Sequence, residues 1–153
     1  MSDAKVYAAA AVAGGVAGMR SMAAPAIVGQ FTNSGLLHSA VATKIAPILA
    51  VGEAIADKFP FMPNRTMPAA VIARAISGGV SGAAITTGNR KPAFWGVVIG
   101  ATAAIGATYA AFHLRRKLAS ALHLPDALVA FAEDALVVGA GISALRSITQ
   151  PIK

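Results

Sequence analysis

One stretch decides the fold of this chain: Gly14-Gly15-Val16-Ala17-Gly18-Met19-Arg20-Ser21-Met22-Ala23-Ala24-Pro25. Small residues precede a single arginine in an apolar run, and a proline follows five positions later. Each glycine costs a water-exposed helix about 1 kcal/mol relative to alanine, so the stretch is a poor helix former in water. In a bilayer, small residues let helices approach closely, and an ionised side chain must find a partner inside the protein. The stretch therefore predicts a membrane helix that borders a polar interior.

The composition favours the same class. The chain has 153 residues, enough for one domain, and 56% of them are hydrophobic while 12% are charged. That charged share is about half of what soluble domains carry. The chain has no cysteine, which excludes disulfides, thiolate metal sites and cysteine nucleophiles. The net charge of +7 comes from scattered basic residues, which basic loops around membrane spans explain better than nucleic-acid binding does.

Apolar segments of about membrane length recur along the chain. The clearest runs from Ala93 to Phe112, twenty residues without a charge, and it has aromatic residues near both ends. The other segments are residues 6–28 with a kink or break between Ser21 and Pro25, residues 69–87, and residues 127–145. Residues 41–56 form a shorter segment that either crosses or re-enters. We therefore predict an all-α polytopic membrane helix bundle with four or five transmembrane helices.

Pairs of glycines four residues apart mark the expected helix contacts. Such pairs let two membrane helices pack backbone against backbone. The three pairs are Gly14 with Gly18, Gly78 with Gly82, and Gly96 with Gly100. The first two pairs share a Gly-Gly-Val-small-Gly pattern, which suggests a weak internal duplication of residues 4–58 and 69–148 within the single domain of residues 1–153.

Ionisable residues inside the apolar segments are the candidate functional residues, because such residues are costly in a membrane and usually serve a function. The predicted intramembrane polar site consists of Arg20, Ser21, Glu53, Arg74, Glu133 and Asp134. Three further polar residues are expected at the membrane interface: Asp57, Lys58 and Arg65. The basic cluster of Arg115, Arg116 and Lys117 directly follows a clean span, so we predict that it faces the cytoplasm.

Two functions fit this interior. In the first, the protein transports or handles a lipid or ion: Arg20 and Arg74 hold an anionic group, and Glu53 or Glu133 exchanges a proton or cation. In the second, the protein is a structural or accessory subunit whose buried charge pairs only fix helix packing. The expected partners are the bilayer, an anionic lipid or small ion, and a second copy or a larger membrane complex.

An enzyme is the third and least favoured class. Acid–base work would fall to Glu53 with Asp57 or to Glu133 with Asp134, but the chain has no HExxH, GxSxG or phosphate-binding loop motif. His113 and His123 lack helical metal-site spacing. We therefore assign no catalytic residue, metal ligand or cofactor.

The spaced polar motifs also resemble a known family of small bacterial membrane proteins, the "domain of unknown function" family four-one-two-six. The matching segments cover most of the chain: Gly18-Met19-Arg20-Ser21 with Ala24-Pro25, Glu53 with Ala56-Asp57-Lys58-Phe59-Pro60, Pro63-Asn64-Arg65, Arg74, and Phe131-Ala132-Glu133-Asp134. The resemblance implies a multi-pass protein of the bacterial inner membrane. It implies no activity, substrate or cofactor.

Overall fold

The computed structural model describes residues 2–21, 23–31, 48, 67–122, 135, 139, 141–143, 145 and 146. These residues form four helices: α1 (Asp3–Met19), α2 (Ala23–Phe31), α3 (Pro68–Gly88) and α4 (Ala93–Leu122). The separate described residues nearer the C-terminus are helical as well, and no strand occurs in this part of the chain. The predicted all-α class is confirmed for these residues.

The first apolar segment is broken where the sequence predicted a break. The chain leaves helical geometry at Arg20, whose backbone is extended with φ −143° and ψ 112°, and Ser21 lies in a turn. Helix α2 starts at Ala23, so Pro25 is its third residue. A proline in the first turn costs the helix no hydrogen bond, because the first amides of a helix have no partner within it.

Helices α3 and α4 form a hairpin across a short basic loop. Pro68 opens α3, and proline is well suited to the first position of a helix. In the loop, Arg90 has a positive φ of 57° and the Lys91 amide donates to the Thr86 carbonyl at 2.8 Å. Helix α4 continues to Leu122, beyond its predicted end at Phe112, because the basic cluster that follows consists of good helix formers.

Helix α1 packs into the groove between α3 and α4. Gly14 and Gly18 lie against Gly100 and Ala104 in the same order along both helices, so α1 runs parallel to α4. Gly78 and Gly82 meet Gly100 and Gly96 in reverse order, so α3 is antiparallel to α4. The core between them consists mainly of alanine, glycine and valine.

Two of the described helical segments, Pro68–Gly88 and Ala93–Leu114, are long and apolar enough to cross a membrane. The larger apolar side chains lie on their outer faces, where Ile76 is 62% exposed and Phe94 66% exposed. Two predicted segments, residues 41–56 and 127–145, lie almost wholly outside the described residues. The suggested duplication stays a prediction for the same reason.

Candidate polar site at the broken helix

The centre of the bundle is a crossing of three helices at Gly100. The Cα and carbonyl of Gly100 lie against Gly14 of α1, and its carbonyl also lies against Gly78 of α3. A methyl group added to Gly14 would lie 2.8 Å from the Gly100 Cα, too close for any real side chain. One turn away, Gly82 and Gly96 meet in the same way. Backbone therefore packs directly on backbone at this crossing.

The break between α1 and α2 lies next to this crossing, and hydroxyl groups from the other two helices reach it. The Ser77 hydroxyl of α3 donates to the Ser21 carbonyl. The Thr108 hydroxyl of α4 lies 2.9 Å from the Gly18 carbonyl and 2.8 Å from the Ala104 carbonyl of its own helix. A helix that ends inside a bundle leaves carbonyls without helical partners, and the two hydroxyls donate to one carbonyl in the last turn of α1 and to one in the break itself.

Two arginines are buried at the level of the break. Arg20 lies in the break itself and Arg74 on α3, and each is only 5% exposed. Arg74 precedes Ser77 by three residues and so shares its helix face, and Ser77 contacts the residue next to Arg20. Both side chains also take part in polar or electrostatic interactions. Arg74 thus lies about one helical turn from the α3 residue that contacts the break.

Ser81 extends this polar face of α3 toward the glycine crossing. It follows Ser77 by four residues, is fully buried, and its hydroxyl has no hydrogen-bond partner among the described residues. Buried hydroxyls are usually paired, so an unpaired one calls for an explanation. Arg74, Ser77 and Ser81 therefore form a polar stripe on α3, and the stripe is one side of the candidate site.

The opposite end of the bundle is fastened by an ion pair. Lys91 in the α3–α4 loop and Asp3 at the start of α1 approach to 2.7 Å. The hydrogen bond from Lys91 to Asp3, with the negative charge of Asp3, raises the pKa of the Lys91 ammonium above its ordinary value of 10.5. The pair joins the first turn of α1 to the hairpin loop.

Of the six residues predicted for the polar site, the structure describes three: Arg20 and Ser21 lie at the break, and Arg74 lies on α3, three residues before the serine that contacts Ser21. Glu53, Glu133 and Asp134 lie outside the described residues, as do the predicted interfacial residues Asp57, Lys58 and Arg65. The described residues contain no group of three side chains suited to a metal ion.

Ser77, Ser81 and Thr108 were not predicted from the sequence. The two serines had a usable signal, because they follow Arg74 at helical spacings of three and seven residues on one face. Thr108 had none, since its role depends on a break in a helix that is distant in sequence.

Comparison with protein-family models, curated proteins and solved structures finds no match to this chain.

Proposed function

We propose that this protein is a multi-pass protein of the bacterial inner membrane, with four or five spans, that transports or handles an ion or lipid at the polar site around Arg20 and Arg74. In this proposal the chain belongs to the bacterial family that its motifs resemble, and the Arg115–Lys117 cluster faces the cytoplasm. The outer faces of the helices support the membrane assignment, and the broken helix supports the site.

The distribution of side chains over the helix surfaces supports the assignment of the protein to a membrane. Trp95 is 52% exposed and Leu114 58% exposed, at the two ends of an outward face of α4 that is mostly apolar. Twenty residues of helix rise about 30 Å, the thickness of the hydrocarbon core. In α3, Ile72, Ile76 and Val80 form an exposed apolar stripe at four-residue spacing while Arg74 is buried. Water-soluble proteins arrange these residue types the other way round.

The main support for transport or handling of an ion or lipid is the broken helix with buried arginines beside it. Irregular backbone at membrane depth is tolerated where it is buried in protein or lines a cavity, and transporters use broken helices to form their substrate sites. Here Arg20 lies in the break, and Arg74 lies on α3 about one turn before the serine that contacts the break. A purely structural bundle has no need to interrupt α1 at an arginine.

The glycine crossing favours the alternative, a structural or accessory subunit. Its contacts are tight, and in this alternative the buried charges only fix the register of the helices. The two proposals differ in one accessible property: a transport or lipid-handling site must open to water or headgroups at some time, whereas a structural site stays closed.

Single cysteines test this difference, because the chain has none of its own. Ser81→Cys places a thiol in the stripe, and Ala84→Cys is the matched control, three residues further along the same helix and equally buried. In native membranes we expect a small charged methanethiosulfonate reagent to modify the thiol of the Ser81→Cys variant but not that of the Ala84→Cys variant. Equal protection of both thiols would favour the structural alternative. Recovery of the protein in the carbonate-soluble fraction would refute the membrane assignment itself.

A further inference from the structure

We infer that the outer face of α4 binds one anionic phospholipid, with the phosphate against the cationic end of the helix and an acyl chain along the small residues before it. The inference rests on the membrane assignment in the proposed function, but not on the site around Arg20 and Arg74. Six residues define the outer face: Thr102, Gly106, Tyr109, His113, Arg116 and Lys117.

These six residues share one side of α4. Each follows an earlier member by three or four positions, and α4 is one continuous helix over the whole stretch. All six are exposed. The residues that pack against α1 and α3 lie on the opposite side of the helix, and they are buried: Gly96, Gly100, Ala104 and Thr108. The outer face is therefore directed away from the other described helices.

The cationic end of this face lies at the depth of the lipid headgroups. Arg116 is 23 residues beyond Ala93, the first residue of α4, which is about 35 Å along the helix axis. The hydrocarbon core is about 30 Å thick. With Ala93 at one surface of this core, Tyr109 lies just inside the other surface and Arg116 just outside it. Tyrosine is typical of this zone, and long basic side chains extend there toward the phosphates.

Small residues leave room for an acyl chain next to the cations. A methyl group added to Gly106 would meet no atom within 4 Å, so the surface is open at this point. Tyr109 follows three residues later and is 45% exposed, which forms a wall beside the glycine. One turn before Gly106, the exposed Thr102 hydroxyl donates to the Val98 carbonyl at 2.7 Å, so its hydrogen needs no partner from the bilayer. An acyl chain along this groove gains dispersion contacts with the helix.

Charge distinguishes a lipid from a second copy of the chain, the other occupant that a small-residue face accepts. Two copies inserted in one orientation and joined along this face would bring the cationic ends of both α4 helices side by side, where they repel. A lipid phosphate is attracted to the same residues and accepts charge-assisted hydrogen bonds. Lys117 also takes part in a polar or electrostatic interaction within the protein, so Arg116 is the main contact.

Native mass spectrometry of the purified full-length chain in neutral detergent tests the inference. The probe is phosphatidylglycerol, and the reference is phosphatidylcholine with the same acyl chains. We expect one molecule of phosphatidylglycerol to bind about tenfold more tightly than phosphatidylcholine, because the interfacial cations favour an anionic headgroup. Equal affinity for the two lipids would overturn the inference.

Paired variants locate the binding. Arg116→Gln combined with Lys117→Gln should abolish the preference for phosphatidylglycerol. Lys5→Gln combined with Arg90→Gln is the matched control, because it removes the same charge from exposed residues at the opposite end of the bundle. This control should keep the wild-type preference. An equal response of the two double variants would show that the lipid responds to net charge alone, and the inference would fail.

A further variant tests the groove without changing the charge. Gly106→Leu fills the open surface, and we expect it to weaken the binding of phosphatidylglycerol severalfold. Ala73→Leu adds a similar side chain at an exposed position of α3 and should bind as the wild type does. Wild-type binding by Gly106→Leu would overturn the position of the acyl chain.

Disulfide cross-linking detects a second copy on the same face. The chain has no cysteine, so the Thr102→Cys variant carries a single thiol on the outer face. In native membranes we expect this variant to remain monomeric after oxidation, and efficient formation of a disulfide-linked dimer would overturn the inference. The proposed function is judged separately by carbonate extraction and by the thiol of the Ser81→Cys variant. A membrane-embedded protein without a preference for phosphatidylglycerol would refute the lipid site alone.

Discussion

The glycine crossing at Gly100 and the helix break at Arg20 are neighbours in the bundle, but different interactions hold them together. At the crossing, three backbones touch because no side chain separates them. At the break, the backbone is interrupted, and side chains from α3 and α4 must reach in to satisfy its carbonyls. The crossing depends on shape, and the break depends on polar chemistry.

This difference predicts how each region tolerates substitution. A shape-dependent contact fails when atoms are added, because backbone cannot move aside without separating the helices. A polar contact fails when atoms are removed, because a buried carbonyl then loses its donor. Substitutions that add atoms at the crossing, or that remove a hydroxyl at the break, should therefore lower the stability of the protein strongly. The opposite substitutions should change it little.

The largest effect is expected for Gly100→Ala. Its methyl group would collide with the Gly78 carbonyl and lie 2.8 Å from the Gly78 carbonyl carbon, so two of the three helices must separate. We expect a loss of about 3 kcal/mol in the free energy of unfolding. Unfolding by sodium dodecyl sulfate in mixed micelles measures it.

The matched control is Gly106→Ala, because an added methyl group there meets no atom within 4 Å. This variant should unfold at the wild-type detergent fraction or slightly above it. Equal losses at the two positions would show that the crossing does not depend on close backbone contact.

A smaller effect is expected for Thr108→Val, which keeps the shape of the side chain but leaves the Gly18 carbonyl without this donor. We expect a loss of about 1 kcal/mol in the same measurement. Thr102→Val is the matched control on the same helix, since the Thr102 hydroxyl is exposed and donates only to Val98 within α4. The Thr108→Val variant should have a clearly lower free energy of unfolding than the Thr102→Val variant. If Thr102→Val costs as much as Thr108→Val, the hydroxyl does not support the break.

The sequence predicted the glycine contacts of the crossing but not most of the contacts at the break, and the reason is physical. Gly14, Gly78 and Gly100 belong to four-residue glycine pairs, a local pattern whose consequence is the same in any helix pair. Pro25 and Arg20 likewise predicted an interruption of the first segment. These signals are contained in a few neighbouring residues.

The partners at the break depend instead on the register between helices. Thr108 reaches Gly18 across 90 residues of chain, and Ser77 reaches Ser21 across 56. The spacing of Ser77 from Arg74 places both on one face of α3, but no local pattern states that this face, or Thr108 of α4, lies beside the break. Sequence patterns therefore indicated the charged residues Arg20 and Arg74 but not the hydroxyls that hold the backbone around them.

The smallest effect is expected at the far end of the bundle, where Asp3 and Lys91 join α1 to the hairpin loop and both lie near water. Because the pKa of Lys91 is raised in the folded protein, the pair adds stability at every pH below the ordinary value of 10.5, and this contribution is lost as the pH rises through the raised value. The Tm difference between wild type and Lys91→Gln should thus be constant from pH 8 to about pH 10 and should decline toward zero above that range.

The Tm difference should also shrink with added salt, since surface ion pairs are screened. Lys5→Gln, an exposed lysine on the same end of α1, is the control. A wild-type to Lys91→Gln difference that shows no decline as the pH rises above 10.5 would show that Lys91 stabilises the loop through packing and not through its charge.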